Sequence, residues 1–419
     1  MSIGTHIAKV LVEHIFYFEE DMKMSVSIIG TSHSKFGKLE DKTIYDLILE
    51  AGRGALTDSG LTGEDIDAVF FANYGSMDFN NQSHLGPFMV EIDPGLRFKP
   101  CVRVEGACAS GSVAVYEAIK GIESGRYKNV LVVGAEKMTS LNGKGVTATL
   151  AKASYMPLEG EHGYTFPGLY AELGKGYMSH FGISEEELAD TLARISVKAH
   201  TNAMQNPLAH MQKGSNMEYA LNLSDKNPMV AYPLKLSDCS LVSDGGAAVV
   251  LTTTERAKEL KDKVVEISAI SMMCDHISIV EGKRHNWEHE AIRRAFNKCL
   301  DETGLTLADI NLAEVHDCFT INELVIYEAL GLTEPGKGRE AVLDGSVFLG
   351  GRLPVNTSGG LKAKGHPVGA TGVSMHVLAT KQLIGEAIGA QVEGAKNAVT
   401  VNVGGSGGTN VISILRRVK

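Results

Sequence analysis

Aromatic side chains are scarce in this sequence: Phe, Tyr and Trp make up 6% of its 419 residues, and there is one tryptophan. Glycine occurs 46 times. Many glycines with few aromatics suit the tight strand-to-helix turns of an α/β protein better than an all-β one. Cysteine is also sparse. The six, Cys101, Cys108, Cys239, Cys274, Cys299 and Cys318, show no CxxC or other metal-ligand spacing. That argues against a disulfide framework and against a metal site, and it points to a reducing cytoplasm. No Lys/Arg-rich block interrupts a chain of net charge -10, so nucleic acid is excluded as a natural partner. No apolar run reaches the roughly 18 residues that a membrane-spanning helix needs. The short run Ile15–Phe18 is followed by Glu19, Glu20 and Asp21 rather than a cleavage site, unlike a signal peptide. Residues 1–24 read as an extension ahead of the first strand.

The remaining sequence alternates. Strands are predicted at Val26–Gly30, Ala68–Ala72 and Val130–Gly134, with helices at Thr43–Ser59 and Ser110–Ser124 between them. Strands separated by helices imply crossovers and a mainly parallel sheet. From about Met138 to Leu236 the texture changes to Met, Tyr, Pro, Lys and His, with a helix predicted over 184–206; this reads as an inserted loop domain. The pattern resumes at Ala247–Thr252. It then repeats, with strands at Val265–Ser271, Leu312–His316 and Ala398–Val403 and a helix at Glu288–Glu302. The connector Gly60-Leu61-Thr62-Gly63-Glu64-Asp65-Ile66 matches Gly304-Leu305-Thr306-Leu307-Ala308-Asp309-Ile310 at five of seven positions. Ordinary helix–turn–strand connectors would look similar, but the shared residues favour a duplication. The expected boundaries are an extension at 1–24, a first half at 25–137 and 238–262, a loop domain at 138–237 and a second half at 263–419. Ligands are expected near the junction of the halves.

Four segments carry residues suited to chemistry. Cys108 lies in Gly106-Ala107-Cys108-Ala109-Ser110-Gly111, directly before a predicted helix. Small neighbours admit a bulky thioester, and a helix N-terminus favours a thiolate and offers amides to an oxyanion. A buried cysteine at a helix start fits the same residues. His366 lies in a stretch from Asn356 to Gly372 that contains five glycines. There it can accept a thiol's proton or cap the helix predicted at Ala370–Leu383. His316-Asp317-Cys318-Phe319 ends a strand, where α/β sites collect; core packing is the alternative for both His316 and Cys318. Gly404-Gly405-Ser406-Gly407-Gly408 lacks the Lys-Ser/Thr of a phosphate loop, and a tight turn explains it as well.

Taken in this order, the Cys108 segment, Ser243-Asp244-Gly245-Gly246, the His316 motif, Gly365-His366-Pro367-Val368-Gly369-Ala370-Thr371-Gly372 and the terminal glycines resemble the thiolases. The resemblance runs from about residue 25 to the end. It is closest to the sterol-carrier-protein-type and archaeal acetyl-CoA acetyltransferase branch. It implies a five-layered αβαβα fold with two duplicated halves and an inserted loop domain, coenzyme A as substrate with no permanently bound cofactor, and a homodimer or dimer of dimers. By position it implies Cys108 as the acylated nucleophile, His366 as its base and His316 in a first oxyanion hole. The amides of Cys108 and Gly404 would form a second hole. Ser240 and the turn Ser358, Gly359 and Gly360 fall where the pantetheine arm is touched. Many thiolases place a second catalytic cysteine where this chain has Asn402, and Cys318 is expected to take over its acid/base work. Members of this branch often associate with an OB-fold/zinc-ribbon protein. The same fold also serves ketoacyl and hydroxymethylglutaryl-type synthases, and a non-catalytic acyl-CoA-binding subunit is the reading from a different class. The acyl group is open, from acetoacetyl to a bulky aromatic or succinyl-type chain. Segments 155–157 and 164–170 are expected to shape its pocket.

Overall fold

The computed structural model describes residues 24–419, so the expected N-terminal extension lies outside the described residues apart from Met24. In the first half β1 (Val26–His33) leads to α1 (Ile44–Ser59), β2 (Ala68–Ala72), β3 (Cys101–Val104), α2 (Ser110–Glu123) and β4 (Asn129–Glu136). The inserted region holds α3 (Phe166–Phe181) and α4 (Glu185–Ala203), and β5 (Gly245–Thr253) closes this half. The second half runs β6 (Val265–Cys274), α5 (Glu290–Thr303), β7 (Leu312–Val315), α6 (Thr320–Ala329), α7 (Val368–Leu383), β8 (Asn397–Gly404) and β9 (Thr409–Arg417). The nine strands are ordered β3-β2-β4-β5-β1-β6-β9-β8-β7.

Apart from the extra edge strand β3, that order is two copies of one four-strand pattern joined at β1 and β6, which pair over only Val26–Ile28 and Val265–Ile267. The repeated connectors explain why the copies match. Gly60 and Gly304 both cap a helix in the left-handed region, with φ of 77° and 65°, where glycine carries no Cβ penalty. Just beyond, the amide and hydroxyl of Thr62 donate to Asp65, and those of Thr306 donate to Asp309. Asn129 and Asn397 then bond back to the carbonyls of Asp65 and Asp309, at 2.8 and 2.9 Å.

The expected mainly parallel sheet is corrected: five of the eight strand pairings are antiparallel. Strands linked through helices do run in one direction, as β2 does beside β3 and β4, and β7 beside β8. The reversals come from β5 and β9. β5 returns from the inserted region and slots between β1 and β4, and β9 follows β8 through the tight glycine turn. Neither connection is a helical crossover, so neither obeys the crossover rule.

Helices α2 and α7 pack together between the two sheet halves. One apolar cluster there joins Ala114, Val115, Ile119, Val373 and Val377 to strand residues of both halves. Helix α1 covers the outer face of the first half, and α5 and α6 cover that of the second. The layers are therefore αβαβα. The middle helices are close because glycines face one another: a Cβ on Gly111 would sit 2.6 Å from the Val373 nitrogen, and one on Gly372 would sit 2.2 Å from the Ser112 nitrogen. Both middle helices begin at the same end of the molecule, and that end holds the chemistry.

Candidate active site

Cys108 precedes α2 on a strained turn. Ala107 takes φ 51°, unusual for a residue with a Cβ. The turn is laced by its neighbours: the Ser110 hydroxyl donates to the Ala107 carbonyl at 2.6 Å and accepts from the Gly106 amide at 2.9 Å. This pushes the Cys108 side chain to the head of the central layer. From the second half His316 arrives at the end of β7 and His366 on the loop before α7. The Cys108 sulfur and a ring nitrogen of each histidine all lie within 4.8 Å of one another. The two imidazoles meet edge to face, with centroids 5.1 Å apart. Cys108, His316 and His366 are thus brought together as expected.

Hydrogen bonds assign the proton on His366. The Thr371 hydroxyl donates to the Pro367 carbonyl at 2.9 Å, so its oxygen accepts from His366 Nδ1–H at 2.7 Å. The other nitrogen, Nε2, is buried with no hydrogen-bond partner and carries a free lone pair. Burial, with Lys364 nearby, holds His366 down to about 3. Burial is also the main force on Cys108, whose thiol is pushed up to about 12. Amides of Gly405 and of Cys108 itself donate to the sulfur and oppose this rise, while Glu136 and Glu105 reinforce it. The resting pair is therefore a neutral thiol facing a neutral imidazole. The expectation that the helix N-terminus would leave a depressed thiol is corrected: two amides do not offset removal of the charge from water.

The loop amide that reaches the sulfur is that of Gly405, one residue past Gly404. Gly404 ends β8 opposite Thr409. It is needed for another reason: a Cβ there would lie 2.3 Å from the Gly106 carbonyl oxygen. It thereby lets the terminal glycine turn lie against the Cys108 turn.

His316 is held at its carbonyl and at Nδ1. Its carbonyl accepts from Asn322 Nδ2 at 2.5 Å, and Asn322 in turn meets His289 at 2.6 Å. Its Nδ1 lies 3.1 Å from Asn402 Nδ2, and its Nε2 is buried without a partner. Burial, with His366 and His289 close by, holds it well below the usual histidine range. Asp317 ties this motif to the His366 loop by accepting from the Leu361 and Lys362 amides at 2.6 and 3.3 Å. Cys318 is buried beside Cys108 and the Tyr170 hydroxyl, and burial raises its thiol well above the ordinary value. Tyr170 stacks on Phe319 with centroids 4.7 Å apart and donates to the Gly405 carbonyl at 3.1 Å.

A cavity of about 260 Å³ opens onto this group. Cys108, Cys318 and His366 lie at its floor, and Phe166, Ser240 and Val242 are among its walls. Ser240 lines this cavity, whereas the turn at Ser358, Gly359 and Gly360 does not. Ser358 Oγ donates to buried Glu314 at 2.8 Å. A Cβ on Gly359 would meet Ala203 of α4, and one on Gly360 would meet Asp317. These glycines let the chain close over Asp317. Of the segments expected to shape the pocket, Phe166 and Pro167 do so. Tyr155 is exposed and lies off the cavity. Thr371, Tyr170 and Gly405 were not singled out by the sequence. Thr371 sat inside the most informative motif, while Tyr170 carried no signal that separated it from packing.

A thiol and two imidazoles at the seam of two like α/β halves suit an enzyme that passes acyl groups through a thioester. Comparison with known proteins makes the class specific. Residues 26–213 match the profile described as "Thiolase, N-terminal domain", and 271–417 match "Thiolase C-terminal domain-like". An "Acetyl-CoA acetyltransferase" of Methanothermobacter thermautotrophicus is 40% identical over 392 residues, covering 94% of this chain and 99% of that protein. "Sterol carrier protein 2" of Bos taurus is 32% identical over 420 residues, covering 95% of this chain and 73% of that protein. Among solved structures, "Ltp2-ChsH2(DUF35) aldolase" aligns with a TM-score of 0.79 at 22% identity, over 94% of this chain and 98% of that chain. The chain belongs to the thiolase family, in the branch its sequence resembles. It is an acyltransferase that cleaves a 3-ketoacyl-CoA with coenzyme A or runs the reverse Claisen condensation.

Proposed function

We propose that Cys108, His366, His316 and Cys318 carry this reaction, and that the acyl group rests on Cys108. The observation that supports the assignment most directly is the meeting of one thiol and two imidazole nitrogens without partners among the described residues, with Cys108 and His366 lining the cavity. In the cleavage direction His366 Nε2 takes the Cys108 proton as the sulfur attacks the 3-keto carbon. The bond between carbons 2 and 3 then breaks. Its electron pair moves onto the thioester oxygen as an enolate, which His316 and the newly protonated His366 hold by hydrogen bonds. Cys318 supplies a proton to carbon 2 and releases acetyl-CoA. The thiol of a second coenzyme A attacks the acyl group on Cys108, its proton passing to the Cys318 thiolate, and Cys108 leaves as its sulfur regains a proton from His366. The amides of Cys108 and Gly405, which already donate to the sulfur, are the donors for the tetrahedral oxyanion. A donor of this kind contributes about 3 kcal/mol.

Acetoacetyl-CoA is the substrate this reading favours, because the archaeal relative at 40% identity is an acetyl-CoA acetyltransferase. Coenzyme A enters as a substrate, with Ser240 beside its pantetheine arm. No helix among the described residues is long and apolar enough to cross a membrane, no disulfide forms among the described residues, and the cytoplasm is the proposed site of action. The chain is proposed to form a homodimer through β3. This strand ends the sheet with an unpaired edge, carries exposed Val102 and lies near fully projecting Phe98; such an edge calls for a partner. The structural neighbour that is an aldolase with a DUF35 partner supports a separate OB-fold/zinc-ribbon subunit as a further partner.

Intact-protein mass tests the assignment. The purified chain mixed with acetyl-CoA or acetoacetyl-CoA is expected to gain one acetyl group, and Cys108→Ala none. An adduct that survives in Cys108→Ala would overturn the nucleophile.

A further inference from the structure

Where many thiolases have a second cysteine, this chain has Asn402, and the atoms around it give that residue a definite task. Its Nδ2 lies 3.1 Å from the Cys108 carbonyl oxygen and 3.1 Å from His316 Nδ1. A carbonyl oxygen only accepts, so it settles which end of the amide faces inward. With the amide reversed, Oδ1 would point its lone pairs at that carbonyl. The donor Nδ2 therefore also faces His316, and His316 Nδ1 has to accept. A neutral imidazole that accepts at one nitrogen carries its proton on the other. The proton of His316 thus sits on Nε2, which is buried and without a partner.

This is the opposite arrangement to His366, where Nδ1 holds the proton and Nε2 is bare. Two histidines 5.1 Å apart are set as one donor and one base, and each setting comes from the residue behind it. Space for Asn402 is provided by a residue of the His366 motif: a Cβ on Gly372 would lie 2.3 Å from Asn402 Oδ1.

We infer that Asn402 is a positioning residue that fixes the proton of His316 on Nε2, so that a hydrogen-bond donor stands ready for the enolate oxygen while His366 alone serves as base for Cys108. The inference rests on the thiolase mechanism proposed above and goes beyond it. The lost cysteine is then not a gap filled by Cys318 alone. Cys318 covers the acid/base work, and Asn402 uses the vacated position to set a tautomer.

The groups that bear on His316 are Cys108 from the start of α2, His366 from the loop before α7 and His289 from the residue before α5. None is a carboxylate, so the donor is expected to be indifferent to pH across the neutral range. Asn402→Asp changes this. A carboxylate accepts from Nδ1–H and leaves Nε2 bare when His316 is neutral, whereas protonated His316 keeps both protons. The experiment measures exchange of the α-protons of acetyl-CoA in deuterated water, which reports the enolate, beside acylation of Cys108 by intact mass. Asn402→Asp is expected to acylate much as the unaltered chain does and to lose about 10²–10³-fold in exchange above neutrality. Its rate relative to the unaltered chain should fall as pH rises. Asn402→Leu, which removes the polar contact without imposing the opposite proton, is expected to lose less than Asn402→Asp at high pH.

Equal losses in the two variants, or a pH-independent ratio, would assign Asn402 a packing role only and overturn the inference. So would a folded variant that loses acylation together with exchange, since Asn402 would then act through the Cys108 carbonyl. A further reading needs no variant to fold. In unaltered protein carrying ¹⁵N-labelled histidine, His316 is expected to show a protonated Nε2 and a bare Nδ1, and the reverse pattern overturns the inference. If the unaltered chain itself forms no Cys108 adduct, it is the proposed mechanism that has failed.

Discussion

A cysteine held near 12 and a histidine held near 3 make an unusual resting nucleophile, since reactive cysteines are commonly primed as thiolates. In the proposed reaction the proton moves when substrate arrives, within a pair that already lies close together. The sign for free enzyme follows from the raised thiol value. Alkylation of Cys108 by a neutral reagent is expected to be slow near pH 7 and to rise about tenfold per pH unit to pH 9 without a plateau. Mass mapping at graded pH checks this, and a plateau near neutrality would show a thiolate-primed site. Burial, the main cause of the shift, lies in the tertiary fold and could not be read from Gly106-Ala107-Cys108. His366 depends in the same way on the residue behind it. Thr371→Val removes the acceptor for Nδ1–H, and kcat is expected to fall about 10²-fold with little change in KM. Cys318→Ala is expected to leave acylation of Cys108 intact while slowing carbon–carbon bond formation. Wild-type α-proton exchange in that variant would remove Cys318 from the mechanism.

Secondary-structure elements were legible wherever a periodic run ended in a cap. Thr43, Ser184 and the repeated Gly-Leu-Thr connectors begin or end helices in the structure as expected. Strands β3 and β9 were not anticipated, for different physical reasons. β3 is four residues long and only partly buried, so no alternation marks it. β9 follows the terminal glycine cluster, and those glycines read as a loop when they are the turn of a hairpin. The site was legible as far as its motifs reached. Cys108 and His366 were found because small residues crowd them, and Ser240 was placed by resemblance. The glycines of the Ser358–Gly360 turn signal close backbone approach without saying to what, and the structure sets them against Ala203 and Asp317. Glycine at the meeting of α2 and α7 offers a test at this scale. Gly372→Ala drives a Cβ into the Ser112 nitrogen and Asn402 Oδ1, and overpacking of this kind costs about 1–3 kcal/mol. A lowered Tm is expected together with lost activity. An unchanged Tm would mean that α2 and α7 can separate without penalty.

Across the whole molecule, the two halves share few strand hydrogen bonds and are held instead by the buried helices between them. The free edge at β3 faces outward from that assembly. Val102→Lys is expected to turn the proposed dimer into a monomer in sedimentation while leaving the Cys108 site folded, because Val102 is half exposed and lies away from the cavity. A dimer that persists would place the interface elsewhere.

Cys108 and the Phe79, Met138 and Val146 side chains packed on it precede the second half of the chain, which supplies His316, His366 and Val368. A ribosome makes the thiol 258 residues before it makes His366, an interval of roughly 13 to 50 seconds at about 5–20 residues per second. Throughout that interval the nascent chain carries its proposed nucleophile without the two imidazoles and the Val368 side chain that complete its surroundings. Cys108 is therefore most open to oxidants and electrophiles during synthesis. Damage done then would be sealed into the finished protein when the second half closes over it.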